Sequence, residues 1–191
     1  LSGDSSQALH PLPDLLRPGL ELIFVGINPG VMSGRTGRYF AHPRNRFWDA
    51  ANLGGVFAPP LSPETDTQAL EQGIGFTDIV KRPSSMASDL KSAEFREGAP
   101  VLKRKLLEVA PKLICFNGMT SYSNFMRYAS DEAPFASRRA QKHSFGRQEA
   151  RIGDSVVFVV PSPSPANASF SLQDLANWYR QVAELRRELA G

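Results

Sequence analysis

LELIFVGINPG, Leu20 to Gly30, is the stretch on which the fold turns. A short apolar run ends abruptly at Gly26 and gives way to Ile27-Asn28-Pro29-Gly30. A run of this length closed by glycine is consistent with a buried strand. Beyond it, up to Trp48, the chain turns basic and aromatic, with almost no aliphatic content. Such a segment is built to approach something polar.

Outward from this strand, strand and helix patterns alternate. RNRFWDAANLGG (Arg44 to Gly55) spaces its apolar groups helically and stops at glycine. GFTDIVK (Gly75 to Lys81) reads as a strand end or an edge strand. APVLKRKLLEVAP (Ala99 to Pro111) predicts an amphipathic helix, with Val101, Leu102, Leu106 and Val109 near one face and a proline stop. KLICFNG (Lys112 to Gly118) is a second buried strand, followed by a helix from about Thr120 to Tyr128. Val156 to Val160 makes a third strand, and the chain ends in a long helix over 171–190, with Ser171 as N-cap three residues before Asp174. This alternation implies an α/β fold with a parallel sheet and helices on both faces. No repeat, internal linker or second domain is visible, so residues 1–191 read as one domain with an extended segment over 1–18.

Composition narrows the function. The 191 residues are 41% hydrophobic, enough for one ordinary core. No run reaches the roughly 18 apolar residues of a membrane span, and the first residues lack the charged-then-apolar pattern of a secretory signal. The expectation is an intracellular protein, cytoplasmic or nucleoid-associated, with no membrane partner. The single cysteine, Cys115, lies inside an apolar strand and reads as a small buried hydrophobe; one cysteine supports neither a disulfide framework nor a cysteine-based zinc site. Net charge is only +3, yet Arg35, Arg38, Arg44 and Arg46 fall in one short acid-free stretch. That stretch is either a phosphate-binding loop or a solvated one.

In parallel α/β sheets the working site lies outside the carboxyl ends of the strands. The three best strands end in GINPG, NG and PSPSP, small residues, prolines and short polar side chains that let a ligand approach the backbone. A nucleotide-binding loop is the rival reading. GVMSGRT (Gly30 to Thr36) nearly matches the phosphate-cradling pattern, but has one residue too few and Arg35 where lysine belongs. Neither Asn117 nor Pro161 supplies the aspartate that would hold magnesium.

Six stretches in order, GINPG (26–30), FAHPRNRFW (40–48), GFTDIVKRPS (75–84), SDLKSAEFREG (88–98), FNG (116–118) and VVPSPSP (159–165), resemble the mismatch-specific uracil and thymine DNA glycosylases of the uracil-DNA glycosylase superfamily. The resemblance runs from about Leu20 to Ala166. It implies a three-layer α/β/α sandwich around a short, mainly parallel sheet. The implied activity is monofunctional hydrolysis, without metal or cofactor, of the bond joining uracil or another altered pyrimidine to deoxyribose in base excision repair. The implied partner is double-stranded DNA containing G·U or related mismatches, bound by a monomer. A catalytically inactive DNA-binding module of the same fold stays open as the alternative, with a nucleotide phosphohydrolase behind it.

A base inside a duplex must be extruded into a pocket before a water can attack its sugar. The resemblance puts the catalytic asparagine at Asn28, next to Ile27, whose position borders the base, and makes Phe40 the residue that stacks on the flipped ring. An amide orients water but is a poor base, so leaving-group stabilisation must carry much of the reaction. Thr77 and Asp78 form the second wall, with Asp78 contacting the pyrimidine edge; a carboxylate accepts an imide N–H but repels a carbonyl oxygen. Asp89 is either a supplementary catalytic carboxylate or a cap for the following segment, and the catalytic role is the one expected here. Arg44 and Arg46 are expected on phosphates, and His42 in a structural or phosphate-contacting turn. At the third strand end relatives often carry Asn-Pro-Ser-Gly followed by a bulky wedge. Here the chain has Ser162-Pro163-Ser164-Pro165 followed by Ala166. By the same resemblance Ser162 is expected to border the substrate and with Ser164 to pinch phosphate, Ser164, Pro165 and Ala166 are expected to meet the DNA, and the small wedge favours a looser substrate range. Asn167-Ala168-Ser169 matches a glycosylation acceptor that has no role without secretion.

Overall fold

The structure is a computed structural model and describes residues 8–129 and 144–191. Strands β1 (Leu22–Gly26), β2 (Ile74–Asp78), β3 (Leu113–Asn117), β4 (Gly146–Ile152) and β5 (Ser155–Val160) form one sheet in the order β2-β1-β3-β5-β4. Four strands run parallel, and β4 joins the far edge antiparallel to β5. Helices α1 (Val31–Thr36), α2 (Phe47–Leu53), α3 (Ser92–Val109), α4 (Met119–Tyr128) and α5 (Leu172–Ala190) and two 3-10 segments, Pro63–Leu70 and Ala87–Asp89, complete the described chain.

The parallel strands are buried along their whole length, because both sheet faces are covered. Alternation within each strand sorts the side chains. Leu22, Phe24, Ile74, Phe76, Leu113 and Cys115 pack with α2 and α5, whereas Ile23, Val25, Ile114 and Phe116 pack with α3 and α4. The result is the expected α/β/α layering. Cys115 is fully buried, and burial pushes its thiol well above the ordinary range.

Three elements differ from the sequence expectation. α3 starts at Ser92 instead of Ala99, so Pro100 lies inside the helix. Two things hold the extra N-terminal turns. Glu94 Oε2 accepts the Lys91 N–H (2.8 Å), and Gly98 packs so closely on β2's continuation that a Cβ would fall 2.2 Å from Ile79 O. Val101 points to solvent, while Phe95, Ala99, Leu102 and Leu106 form the buried face. The short α1 and strand β4 were not legible from periodicity, since β4 alternates buried ends with mostly exposed polar residues. GFTDIVK proves to hold the end of an edge strand, and the N-terminal segment covers that edge: Leu15 and Phe76 exchange both backbone hydrogen bonds (2.9 and 3.0 Å).

Candidate active site

Beyond Gly26 the chain keeps pairing with the continuation of β2. Ile79 N–H donates to Gly26 O (3.1 Å), Val80 N–H to Ile27 O (2.8 Å) and Ser84 N–H to Pro29 O (3.1 Å). The GINPG loop is therefore zipped to residues 79–84. Asn28 sits in this seam, half-buried, and its Nδ2 donates to Ser84 Oγ (2.8 Å), Arg82 O (2.9 Å) and Pro29 O (3.2 Å). Two of these partners are carbonyls, and the Ser84 hydroxyl gives its own proton to Met86 O (2.7 Å). All three act as acceptors toward this atom, so it must be the NH₂ group, its two hydrogens shared among them, and the amide's orientation is dictated chemically. Oδ1 is left facing the other way with no partner among the described residues. An immobilised acceptor of this kind can hold and orient a water.

The segment supplying those acceptors is itself clamped. Arg82 Nε and Nη2 donate to Glu94 Oε1 (2.7 Å) and Oε2 (2.9 Å), and Nη2 also reaches Asp89 O (3.1 Å). The Arg82 bonds, together with the Lys91 N–H, hold the Glu94 carboxyl down to about 2.

Phe40 adopts a left-handed backbone (φ 52°), uncommon for a bulky residue, and stacks on Phe47 with ring centroids 4.0 Å apart. Its predecessor holds it there. Tyr39 N–H donates to buried Asp66 Oδ2 (2.9 Å), Tyr39 O accepts from Trp48 Nε1 (3.0 Å), and Tyr39 OH donates to Pro13 O (3.1 Å). Asp66 Oδ1 also pairs with Arg38 (2.9 Å). His42 makes a turn, its Nδ1 accepting the Arg44 N–H (3.1 Å).

Asp78 ends β2 beside Gly26, fully enclosed. Burial pushes its carboxyl up to about 7, Lys81 opposes the rise and Asp14 adds to it. Asp14 lies in a cluster with Thr77 Oγ1 (2.7 Å), Lys81 Nζ (2.5 Å) and Lys105 Nζ (2.6 Å). Near neutral pH the Asp78 carboxyl is therefore partly protonated, and its protonated form both donates and accepts, whereas a carboxylate only accepts.

Two positions differ from their expected roles. Arg46, expected on phosphate, turns its guanidinium inward to the carbonyls of Phe170, Asn167 (2.5 Å) and Ser164 (3.3 Å), and its N–H donates to Pro163 O (3.1 Å). Its donors are engaged in tying α2 to the loop after β5. Asp89, expected to be catalytic, is exposed, and its Oδ2 caps the Met86 N–H (3.0 Å). Its carboxylate is linked to Asn28 through Met86 and Ser84, without touching it. The Arg44 side chain, by contrast, is exposed and without a partner among the described residues.

The loop after β5 is compact. Ser162 Oγ accepts the Ser164 N–H (3.3 Å), Ser164 Oγ accepts the Ala166 N–H (3.3 Å), and Asn167 Nδ2 donates to Ser162 O (2.9 Å). Ser162 packs over Gly118, where an added Cβ would fall 3.2 Å from Ser162 Cβ and φ is 101°. Pro165 and Ala166 are exposed at the tip. Among the described residues no three of His, Cys, Asp and Glu are grouped to hold a metal ion.

A profile of the Uracil DNA glycosylase superfamily matches residues 13–186. The chain belongs to the uracil DNA glycosylase superfamily. The match takes in every site residue above, and membership carries DNA glycosylase chemistry in general with it. A solution NMR structure of a candidate uracil DNA glycosylase from Methanosarcina acetivorans has a similar fold. Its TM-score is 0.57 at 24% identity, covering 95% of this chain and 98% of that one. The superfamily fold thus frames the site. The sequence reading missed Ser84, Arg82, Glu94, Asp66 and Trp48, which hold the site residues in place. All but Asp66 lie in the quoted motifs, yet nothing in those stretches marked them as supports for the site residues.

Proposed function

We propose that this superfamily member is a monofunctional, mismatch-directed glycosylase that removes uracil, and other altered pyrimidines, flipped out of double-stranded DNA with G·U pairs as the leading substrate. The observation that carries the reading is Asn28: an amide locked by three acceptors, with Oδ1 free to orient the attacking water. Phe40 offers the stacking face beside it, and Asp78 in its neutral form matches a C=O next to an imide N–H. Ser162 and Ser164 flank the backbone of the extruded nucleotide, and Arg44 takes a phosphate. The small tip at Pro165-Ala166 reads the opposite base loosely, so U·A pairs are accepted beside G·U.

The test is release of free uracil from a duplex with one G·U pair, in the presence of chelator, with U·A and G·T duplexes in parallel. Uracil release with an uncleaved abasic strand is the expected result. Metal dependence, or a covalent adduct trapped by borohydride, would overturn the monofunctional mechanism. The protein is expected to act as a monomer.

A further inference from the structure

Two polar side-chain atoms among the described residues are buried without a hydrogen-bond partner, Asp78 Oδ2 and Asn117 Nδ2. Both stand at carboxyl ends of strands, Asp78 on β2 and Asn117 on β3, on either side of β1. Both also share the aromatic face of the sheet, being two residues beyond Phe76 and Cys115. Gly26 lies between them. It pairs in register with Asp78, and since Val25 registers with Phe116, Asn117 is the next position beside it. Neighbouring strands lie ~4.8 Å apart, so the two backbones straddle about 10 Å. Over that span β1 carries only hydrogen, and a Cβ at Gly26 would fall 2.3 Å from Asp78 Oδ1.

Asn117 is not loosely held. Its Oδ1 accepts the Tyr179 hydroxyl (2.8 Å), and Tyr179 is buried on α5 against Phe47, the ring on which Phe40 stacks. The hydrogen bond turns the amide's N–H groups away from Tyr179, where they find no acceptor. Native proteins keep few such groups, and a donor and a carboxyl both left unpaired on adjoining strand ends next to the Asn28 loop mark a place where a ligand edge supplies the partners. A pyrimidine edge alternates carbonyl oxygens with N–H or amino groups.

We propose that Asn117 is a specificity residue whose side-chain N–H donates to a carbonyl oxygen of the extruded pyrimidine while Asp78 meets the neighbouring ring edge across Gly26, with Tyr179 as the positioning residue that holds the amide. The inference rests on the glycosylase reading and deepens it. It assigns the preference for carbonyl-bearing pyrimidines to a pair of residues on two strands.

The experiment measures single-turnover excision of uracil, 2-thiouracil and 4-thiouracil from otherwise identical duplexes, by the wild type and by Asn117→Leu. Sulfur accepts hydrogen bonds weakly, so each thio base probes one carbonyl. Asn117→Leu is expected to slow uracil excision about 10-fold, the effect of one lost hydrogen bond. It should also abolish the wild type's penalty for one thio base while keeping the other. Tyr179→Phe should show the same pattern more weakly. Asn117→Leu acting at the wild-type rate on uracil, or slowing all three bases alike, overturns the proposal. Should Asn117→Leu fail to fold, the side-chain amide resonances of Asn117 in ¹⁵N-labelled wild type decide: they shift on addition of free uracil, and resonances unmoved at uracil's solubility limit overturn the proposal. A wild type that releases no base from any duplex defeats the glycosylase reading instead, and the resonances then test base contact by themselves.

Discussion

Ser84 Oγ stands 2.8 Å from Asn28 Nδ2 and points its own proton at Met86 O. The hydroxyl thus joins the carbonyls of Arg82 and Pro29 in fixing the amide's NH₂ end and leaving Oδ1 free. Asn28→Ala should lower the single-turnover rate on uracil by on the order of 10²-fold or more, the loss of an oriented transition-state contact. Ser84→Ala leaves the carbonyls of Arg82 and Pro29 in place, so about a 10-fold loss is expected. A Ser84→Ala rate equal to the wild type would show that the two carbonyls suffice.

The parallel strands and the loop that closes β1 were legible because their signals are local. Leu22–Gly26 and Leu113–Asn117 are apolar runs closed at glycine, and GINPG can be read in a single window. What was not legible depends on contacts far apart in sequence. Arg46 looks like a phosphate ligand in RNRFW, and only the return of the chain at Ser164 to Phe170 shows carbonyls taking its donors. Asp66 gives no local sign that it will grip Tyr39 and so place Phe40. Asp78 reads as a charged acid until the fold encloses it.

That enclosure makes stability depend on pH. The folded-state carboxyl of Asp78 is raised from 3.8 to about 7, mainly by burial. Between those values the folded protein keeps a proton that the unfolded chain releases. The contribution is therefore fully present below about pH 4 and is lost as pH rises through 7. Lys81 and Asp14 are the charges facing the group, and Lys81 limits the loss. Asp78→Asn, which never ionises, should gain on the wild type across this window by on the order of 4 kcal/mol at most. Urea midpoints at pH 5 and pH 8 measure it, and parallel pH trends in the two proteins would show that Asp78 ionises freely.

Arg44 and Arg46 are expected to separate. Arg44→Ala should lower the salt slope of duplex binding by about 0.9 for one lost phosphate contact, with thermal stability unchanged. Arg46→Ala should destabilise the fold, because carbonyls of Ser164, Asn167 and Phe170 lose a donor. Thermal melts and salt titrations of both variants separate the roles; a full phosphate contribution from Arg46 at wild-type stability would return it to the DNA surface.

Asp89 poses the sharpest choice between chemistry and architecture. Its Oδ2 caps the Met86 N–H, and Met86 O takes the Ser84 proton, so the carboxylate shapes the loop that orients Asn28. A cap needs an acceptor but no charge. Asp89→Asn should then keep near wild-type rates on uracil and on a second pyrimidine lesion, since its side-chain carbonyl can accept the same N–H. Asp89→Ala removes the acceptor and should cost about 1 kcal/mol of stability, with a modest rate loss shared by both substrates. A carboxylate that draws the water's proton predicts the opposite ranking, with Asn as damaging as Ala and stability untouched. Single-turnover rates and melts for the two variants decide between them. A large, substrate-independent rate loss in Asp89→Asn at unchanged stability would make Asp89 a catalytic group after all.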